Sequence, residues 1–272
     1  MVNFTVSLVQ LNSQDDISVN VTAVEKHIRE SAAGGANLAC LPENTFFMQA
    51  PGNGVQPDQT EGVSLCRILA QELKLWILIG SLKVHIPDMP EKSYNRSVLI
   101  DDDGQITAQY DKIHLFDVIL KNGETYNESA RIEPGKQAVL THTPWGKLGM
   151  TVCYDVRFPR LYRTLAKYGA DFITVPSAFT YTTGTAHWHT LLRARAIENG
   201  CYIFAPAQCG VHPGNRRTYG HSLMVDPWGK IISEASEDKT GITIVSIDTD
   251  KIKEARSMIP SLQHDRKFAV HE

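Results

Sequence analysis

The amino-acid sequence predicts a mixed α/β sandwich, and three observations carry that reading. Short apolar stretches with two-residue alternation are interleaved with stretches of helical spacing. Three pairs of apolar runs flank turn-forming residues, at Asp102-Asp103-Gly104, Pro144-Trp145-Gly146 and Asp226-Pro227-Trp228-Gly229. No linker or low-complexity tract interrupts the 272 residues, which therefore read as one domain, 1–272. Helix alternating with strand asks for helices layered on sheet, whereas the hairpins exclude a purely parallel, doubly wound sheet.

The elements follow in order. Residues 4–11 alternate as a strand. Val21, Val24 and Ile28 give helical spacing to 19–33, and Gly34-Gly35 stops that helix. Residues 37–41 form a second short strand, 62–74 a helix and 75–82 a buried strand. The first hairpin pairs 97–100 with 106–110, the second 139–141 with 148–152, and the third 222–225 with 231–234. Helices over 159–168 and 186–199, with strands at 172–175 and 202–205, fill the space between the second and third hairpins. A last strand at 242–247 precedes a last helix at 249–258.

Composition excludes several function classes. The chain is 42% hydrophobic and 21% charged, as globular proteins are. Its 27 basic and 30 acidic residues leave a net charge of −3 with no basic tract, so neither nucleic acid nor a membrane surface is an expected partner. No apolar run approaches the ~18 residues a spanning helix needs. The opening MVNFTVSLVQLN lacks a basic region and reads as a strand, not a signal peptide. Five cysteines, odd in number and without a C-x-x-C pair, suit a reducing compartment, and the cytoplasm is the expected location.

Three residues share one structural context. Glu43 follows the apolar run 38–42, Lys112 follows the strand 106–110, and Cys153 follows 148–152. Each falls just past the C-terminal end of a strand, where α/β folds gather their sites. Cys153 also precedes a helix, and a nucleophile on a strand-to-helix turn is held exposed and rigid. A free thiol, with a pKa near 8.5, is mostly protonated at neutral pH and needs a base or a neighbouring positive charge. Glu43 supplies the first and Lys112 the second, and Lys112 would face the oxyanion of a tetrahedral intermediate. Taken singly, each residue has a duller explanation: a buried thiol, a loop carboxylate, a solvated lysine.

The segments around them, Leu41-Pro42-Glu43-Asn44, Tyr110-Asp111-Lys112-Ile113-His114-Leu115-Phe116-Asp117 and Cys153-Tyr154-Asp155-Val156-Arg157-Phe158-Pro159, resemble those of the nitrilase superfamily of carbon–nitrogen hydrolases in order and spacing. The resemblance runs from the first strand to about Pro260. It implies a four-layer α-β-β-α sandwich and a Glu43–Lys112–Cys153 triad. It also implies a supporting glutamate, Glu128, that orients the base, the lysine and the substrate amine. The segments Pro176-Ser177-Ala178-Phe179, 183–188, 192–198 and Ala207-Gln208-Cys209-Gly210 are similar to the branch of deaminated glutathione amidases. The tail 263–268 departs from the usual ending.

On that resemblance the expected reaction is hydrolysis of a small amide through a Cys153 thioester, with the backbone N–H of Tyr154 and Lys112 at the oxyanion. Deaminated glutathione is the first expected substrate and 2-oxoglutaramate the second. Such substrates carry carboxylates, so Arg157 is expected to bind one, beside Phe179. No cofactor and no metal are implied, and a homodimer or larger homo-oligomer is. The same triad would also serve an N-carbamoyl-amine hydrolase or a nitrilase. Two readings lie outside that chemistry: a non-catalytic binding protein of the same fold, and a thiol redox protein, for which no resolving cysteine is visible.

Other motifs point elsewhere. His187 and His189, two apart on a helix, face different ways and would not share a metal. Arg193, Arg195 and Glu198 read as an ion-pair network in preference to a carboxylate site. Gly52-Asn53-Gly54 reads as a loop with a possible place in a lid over the site.

Overall fold

The structure is a computed structural model that describes residues 3–50, 57–120 and 123–271. The Gly52-Asn53-Gly54 loop lies outside the described residues. The first half builds one sheet. It contains β1 (Asn3–Gln10), β2 (Leu38–Cys40), β3 (Trp76–Ile86), β4 (Met89–Ile100) and β5 (Ile106–Asp111), with helices α1 (Ile17–Ala33) and α2 (Thr60–Leu73) between strands. A short ribbon follows, β6 (Asp117–Ile119) with β7 (Thr125–Asn127). The second half builds another sheet from β8 (Val139–Thr143), β9 (Gly146–Met150), β10 (Phe172–Thr174) and β11 (Tyr202–Ala205), with α3 (Pro159–Lys167) and α4 (Tyr181–Asn199) as its crossovers. After a ribbon of β12 (Cys209–His212) and β13 (Arg216–Tyr219), β14 (Leu223–Val225) and β15 (Ile231–Glu234) complete that sheet. The chain then returns to the first sheet with β16 (Gly241–Asp248) and ends in α5 (Asp250–Met258).

The two six-stranded sheets share one plan. Their orders are β16-β1-β2-β3-β4-β5 and β15-β14-β11-β10-β9-β8. In each, three central parallel strands (β1-β2-β3, β9-β10-β11) are flanked by antiparallel ones. The hairpins foreseen in the sequence, β4–β5, β8–β9 and β14–β15, lie among those antiparallel flanks. The parallel centres need helical crossovers, which α1, α2, α3 and α4 provide.

Alternation decides which layer each strand residue joins. Phe4, Val6 and Leu8 of β1, Leu38 and Cys40 of β2, and Trp76 and Leu78 of β3 pack toward the second sheet with Met150, Phe172 and Phe204. The intervening Val9, Ala39, Ile77 and Ile79 pack against Val24 and Ile28 of α1 and Leu69 of α2. Phe4 stacks on Trp145 at 4.5 Å and meets Phe172 edge-on at 5.2 Å, so the sheets lie face to face. Leu161, Leu165, Trp188 and Leu192 cover the outer face of the second sheet from α3 and α4. Helices, sheet, sheet and helices make the four-layer α-β-β-α sandwich. No helix among the described residues is long and apolar enough to cross a membrane.

The β12–β13 ribbon is fastened by a buried histidine. His212 Nδ1 donates to the Ser13 carbonyl at 2.8 Å, and its Nε2 meets Thr218 Oγ1 at 2.7 Å. Burial pulls its pKa from the ordinary 6.5 to about 4. Between those values the unfolded chain binds a proton that the folded chain does not, so stability is lost on acidification through that window. Urea unfolding of the native protein should lose about 2 kcal/mol more between pH 7 and pH 5 than that of His212→Gln.

Candidate active site

β2 delivers Glu43 through Leu41 and Pro42. A Cβ at Gly80 of β3 would lie 2.0 Å from the Leu41 carbonyl oxygen and 2.5 Å from that of Pro42, so only glycine lets the two backbones approach there. The next residue holds the turn: Ser81 accepts from Thr45 N at its carbonyl (2.9 Å) and from Asn44 N at its hydroxyl (3.1 Å). Asn44 sits at φ +57°, a left-handed position that asparagine tolerates.

β5 runs antiparallel to β4, which runs antiparallel to β3, so β5 points the same way as β2 and Lys112 emerges on the same side as Glu43. Lys112 Nζ donates to Glu43 Oε1 at 3.0 Å and to Glu128 Oε2 at 2.9 Å. Asn95 Nδ2 bridges the same two carboxylates at 2.9 and 3.1 Å. Backbone N–H groups complete the set, Ala178 to Glu43 Oε2 (2.8 Å) and Phe116 to Glu128 Oε2 (2.7 Å). Burial by itself would raise the Glu43 pKa, but the charges of Lys112 and Lys83 outweigh it and hold the carboxyl at about 2. Glu128 is lowered by the same balance, and the two carboxylates raise Lys112 against its own burial. The cluster is therefore ionised at neutral pH.

Cys153 opens a 3-10 turn, Cys153–Arg157, at φ +48°. A non-glycine residue in that region costs roughly 1–2 kcal/mol and persists only where its surroundings impose it. Asp155 imposes it. This fully buried carboxylate accepts from Val152 N (2.9 Å) and Tyr110 Oη (2.7 Å) through Oδ2, and from His114 N (3.1 Å) and His114 Nδ1 (2.7 Å) through Oδ1. One side chain thus ties the strand end that presents Lys112 to the turn that presents Cys153. Burial and the Glu43 carboxylate push the Cys153 thiol well above its ordinary pKa, with Lys112 opposing. The resting sulfur is a neutral thiol beside an ionised acceptor. The Tyr154 N–H has no hydrogen-bond partner among the described residues.

These groups meet in a cavity of about 400 Å³, a volume suited to a small molecule. Of the residues expected from sequence, Glu43, Lys112, Cys153, Glu128, Tyr154 and Phe179 line it. Arg157 does not. The turn directs its guanidinium to the rings of Tyr154 and Phe179, 5.8 and 5.3 Å from their centroids, and to His187 Nδ1 at 3.2 Å. This corrects the expectation that Arg157 lines the pocket. The arginines that do line it are Arg131 and Arg216, the latter donating to the Ala178 carbonyl at 3.1 Å while its buried Nε has no hydrogen-bond partner among the described residues. Lys83 and Asn95 were also missed in the sequence, since both lie in stretches without a local motif.

The remaining candidates fall outside the cavity lining. Arg195 pairs with Glu198 at 2.8 Å and donates to the Val156 carbonyl, while Arg193 donates to the Gly229 carbonyl. His187 and His189 do not converge on each other. His189 instead joins His221 and Glu234, whose ligand atoms lie within 4.8 Å of one another, the spacing that holding a metal requires. There Glu234 Oε1 sits 2.9 Å from His189 Nε2 and 2.7 Å from His221 Nδ1. The five cysteines are all free.

Comparison with known proteins bears on the chemistry of this arrangement. A family model described as carbon-nitrogen hydrolase matches residues 5–257. A protein of Synechocystis sp. named deaminated glutathione amidase is 40% identical over 269 residues, which cover 96% of this chain and 97% of that protein. The crystal structure of the C. elegans NitFhit protein superposes with a TM-score of 0.87 at 35% identity, covering 97% of this chain and 65% of that one. That of Saccharomyces cerevisiae Nit3, described as a member of branch 10 of the nitrilase superfamily, gives 0.80 at 30% identity and covers 95% of this chain and 94% of that one. The matched span contains the glutamate, lysine and cysteine that meet in the cavity, and the chain belongs to the carbon–nitrogen hydrolase family of the nitrilase superfamily.

Proposed function

We propose that this chain is a thiol-dependent amidase that hydrolyses a small carboxylate-bearing amide, deaminated glutathione first and 2-oxoglutaramate second, to the acid and ammonia. The observation that carries the reading is the convergence of the Cys153 thiol with the buried, ionised Glu43–Lys112–Glu128 cluster on one cavity. The name of the Synechocystis relative supports the substrate. So does charge: Lys83, Lys112, Arg131 and Arg216 line the cavity against Glu43 and Glu128, although the whole chain is net negative.

In the proposed reaction Glu43 takes the proton of Cys153 as the sulfur attacks the amide carbon. Lys112 Nζ and the unpartnered Tyr154 N–H receive the developing oxyanion. Glu128 and Asn95 position Lys112 and Glu43. Glu43 returns its proton to the departing ammonia and leaves a thioester at Cys153. A water, deprotonated by Glu43, then releases the acid and restores the thiol. Phe179 forms part of the apolar wall. The chain works as one domain, 1–272, and, as the family resemblance implies, as a homodimer or larger homo-oligomer in the cytoplasm.

N-carbamoyl-amine and nitrile hydrolysis run through the same thiol, so a substrate panel is the test. Ammonia is measured from deaminated glutathione, 2-oxoglutaramate, an N-carbamoyl amine and a simple nitrile. Release from the first two at a kcat/KM at least tenfold above the others is expected. Turnover confined to the carbamoyl compound or the nitrile would overturn the substrate and keep the thiol chemistry.

A further inference from the structure

A lysine that makes no hydrogen bond to the triad lines the same cavity, and a defect in β3 puts it there. The β3–β4 register runs Ile79↔Val98 and then Leu82↔Arg96, so β3 has one more residue than β4 across Gly80–Ser81. An extra residue inverts the faces of every side chain beyond it. Before the bulge Trp76 and Leu78 face the second sheet, while Ile77 and Ile79 face the helices. After it Leu82 and Val84 face the helices, which leaves Lys83 on the opposite, site-facing side. Its cross-strand neighbour is Asn95, the residue that bridges Glu43 and Glu128.

Lys83 is only 8% exposed. No hydrogen bond and no carboxylate within 4 Å satisfies it among the described residues, because Glu43 and Glu128 are already occupied by Lys112, Asn95 and backbone N–H groups. A buried ammonium without a partner is costly, and a fold does not keep one for stability. Burial lowers its pKa to about 8, with Glu128 and Glu43 resisting and Lys112 and Arg216 assisting, so most of it stays charged at pH 7. The cavity therefore holds an ammonium with three donors and no acceptor.

We propose that Lys83 is a specificity-determining residue that binds a carboxylate of the substrate remote from the scissile amide. This rests on the amidase reading above and assigns the residue that selects anionic amides. The carboxylate accepts from Lys83 Nζ, completing the partner set that the protein leaves open. Arg216 stands in the same lining as a second cation for a dianionic substrate.

The test uses the full chain, with glutaramate as the anionic amide and its methyl ester as the neutral one. Lys83→Met should raise KM for glutaramate about 10- to 100-fold, the loss of one charge-assisted hydrogen bond. Because Lys112, Asn95 and the Ala178 N–H still hold Glu43 ionised in that variant, it should change kcat less than about threefold and leave the ester untouched. Its melting temperature should equal or exceed that of the native protein, since an unpaired buried charge is gone. Lys83→Arg should keep part of the preference. Equal loss on both amides through kcat would overturn the proposal and make Lys83 a support for the carboxylate pair. An unchanged KM on glutaramate would overturn it too. Should Lys83→Met fail to fold, the arginine variant decides, because loss of the anionic preference with the charge retained would exclude simple charge recognition. If the native protein releases ammonia from neither these amides nor deaminated glutathione and 2-oxoglutaramate, the amidase reading itself fails and the assignment of Lys83 falls with it.

Discussion

Cys153→Ala is expected to release ammonia at least ~10⁴-fold more slowly than the native protein, and Glu43→Gln about 10²- to 10⁴-fold more slowly. The two losses have different origins. Without the sulfur no thioester forms. Without the carboxylate the sulfur remains but stays protonated, because burial keeps its pKa above the ordinary thiol range and the neighbouring ionised acceptor is gone. Iodoacetamide separates the cases. Native Cys153 should alkylate at neutral pH through proton transfer to Glu43, and Glu43→Gln should alkylate at least tenfold more slowly. Equal alkylation rates would mean that Glu43 is not the base. Glu43 is suited to the role by its ionisation. Lys112, with the Asn95 and Ala178 N–H donors, keeps its charge in a buried site, where a carboxyl without them would be neutral and unable to accept a proton.

Asp155→Ala should lower the unfolding free energy by about 3–5 kcal/mol, the range for stripping one partner from a buried charged network. Four donors lose their acceptor at once: Val152 N, Tyr110 Oη, His114 N and His114 Nδ1. The Cys153 turn, held at φ +48°, and the Lys112 strand end would then be free to separate. Activity should fall by more than ~10²-fold even where the variant is folded. Urea titration and kcat measured on the same preparation check both parts. A variant as stable and as active as the native protein would show that the turn holds its conformation without Asp155.

The sequence displayed the strands and helices where periodicity was clean. The run 75–82 announced β3, and the three turn signals announced the β4–β5, β8–β9 and β14–β15 hairpins. It concealed the rest of β3 and the start of β4. Residues 83–86 and 89–96 are mostly polar, because most of that ribbon is exposed or half-buried rather than packed in a core. The bulge at Gly80–Ser81 was equally hidden. Both faces of β3 are apolar up to Ile79, so alternation carries no phase from which an inversion can be read. Lys83 and Asn95 went unread for that reason.

Glu43, Lys112 and Cys153 were legible because each follows a strand end within a distinctive segment. Glu128 was legible only through family resemblance, as it sits on a 3-10 turn after the short β7. Arg157 was misplaced by spacing. Four residues past Cys153 leaves it next to the pocket in sequence, but the turn aims it at the rings of Tyr154 and Phe179. Arg216, which does line the cavity, begins β13, in a ribbon that gave no turn signal of its own before Pro213-Gly214.

The most direct test of the account is to trap the thioester. Hydroxylamine is added during turnover of deaminated glutathione, and the products and the quenched protein are examined by mass spectrometry. The account predicts a hydroxamate formed at the expense of the free acid, an acyl adduct mapped to Cys153, and neither in Cys153→Ala. Ammonia release by Cys153→Ala at the native rate, with no hydroxamate and no adduct from the native protein, would contradict it.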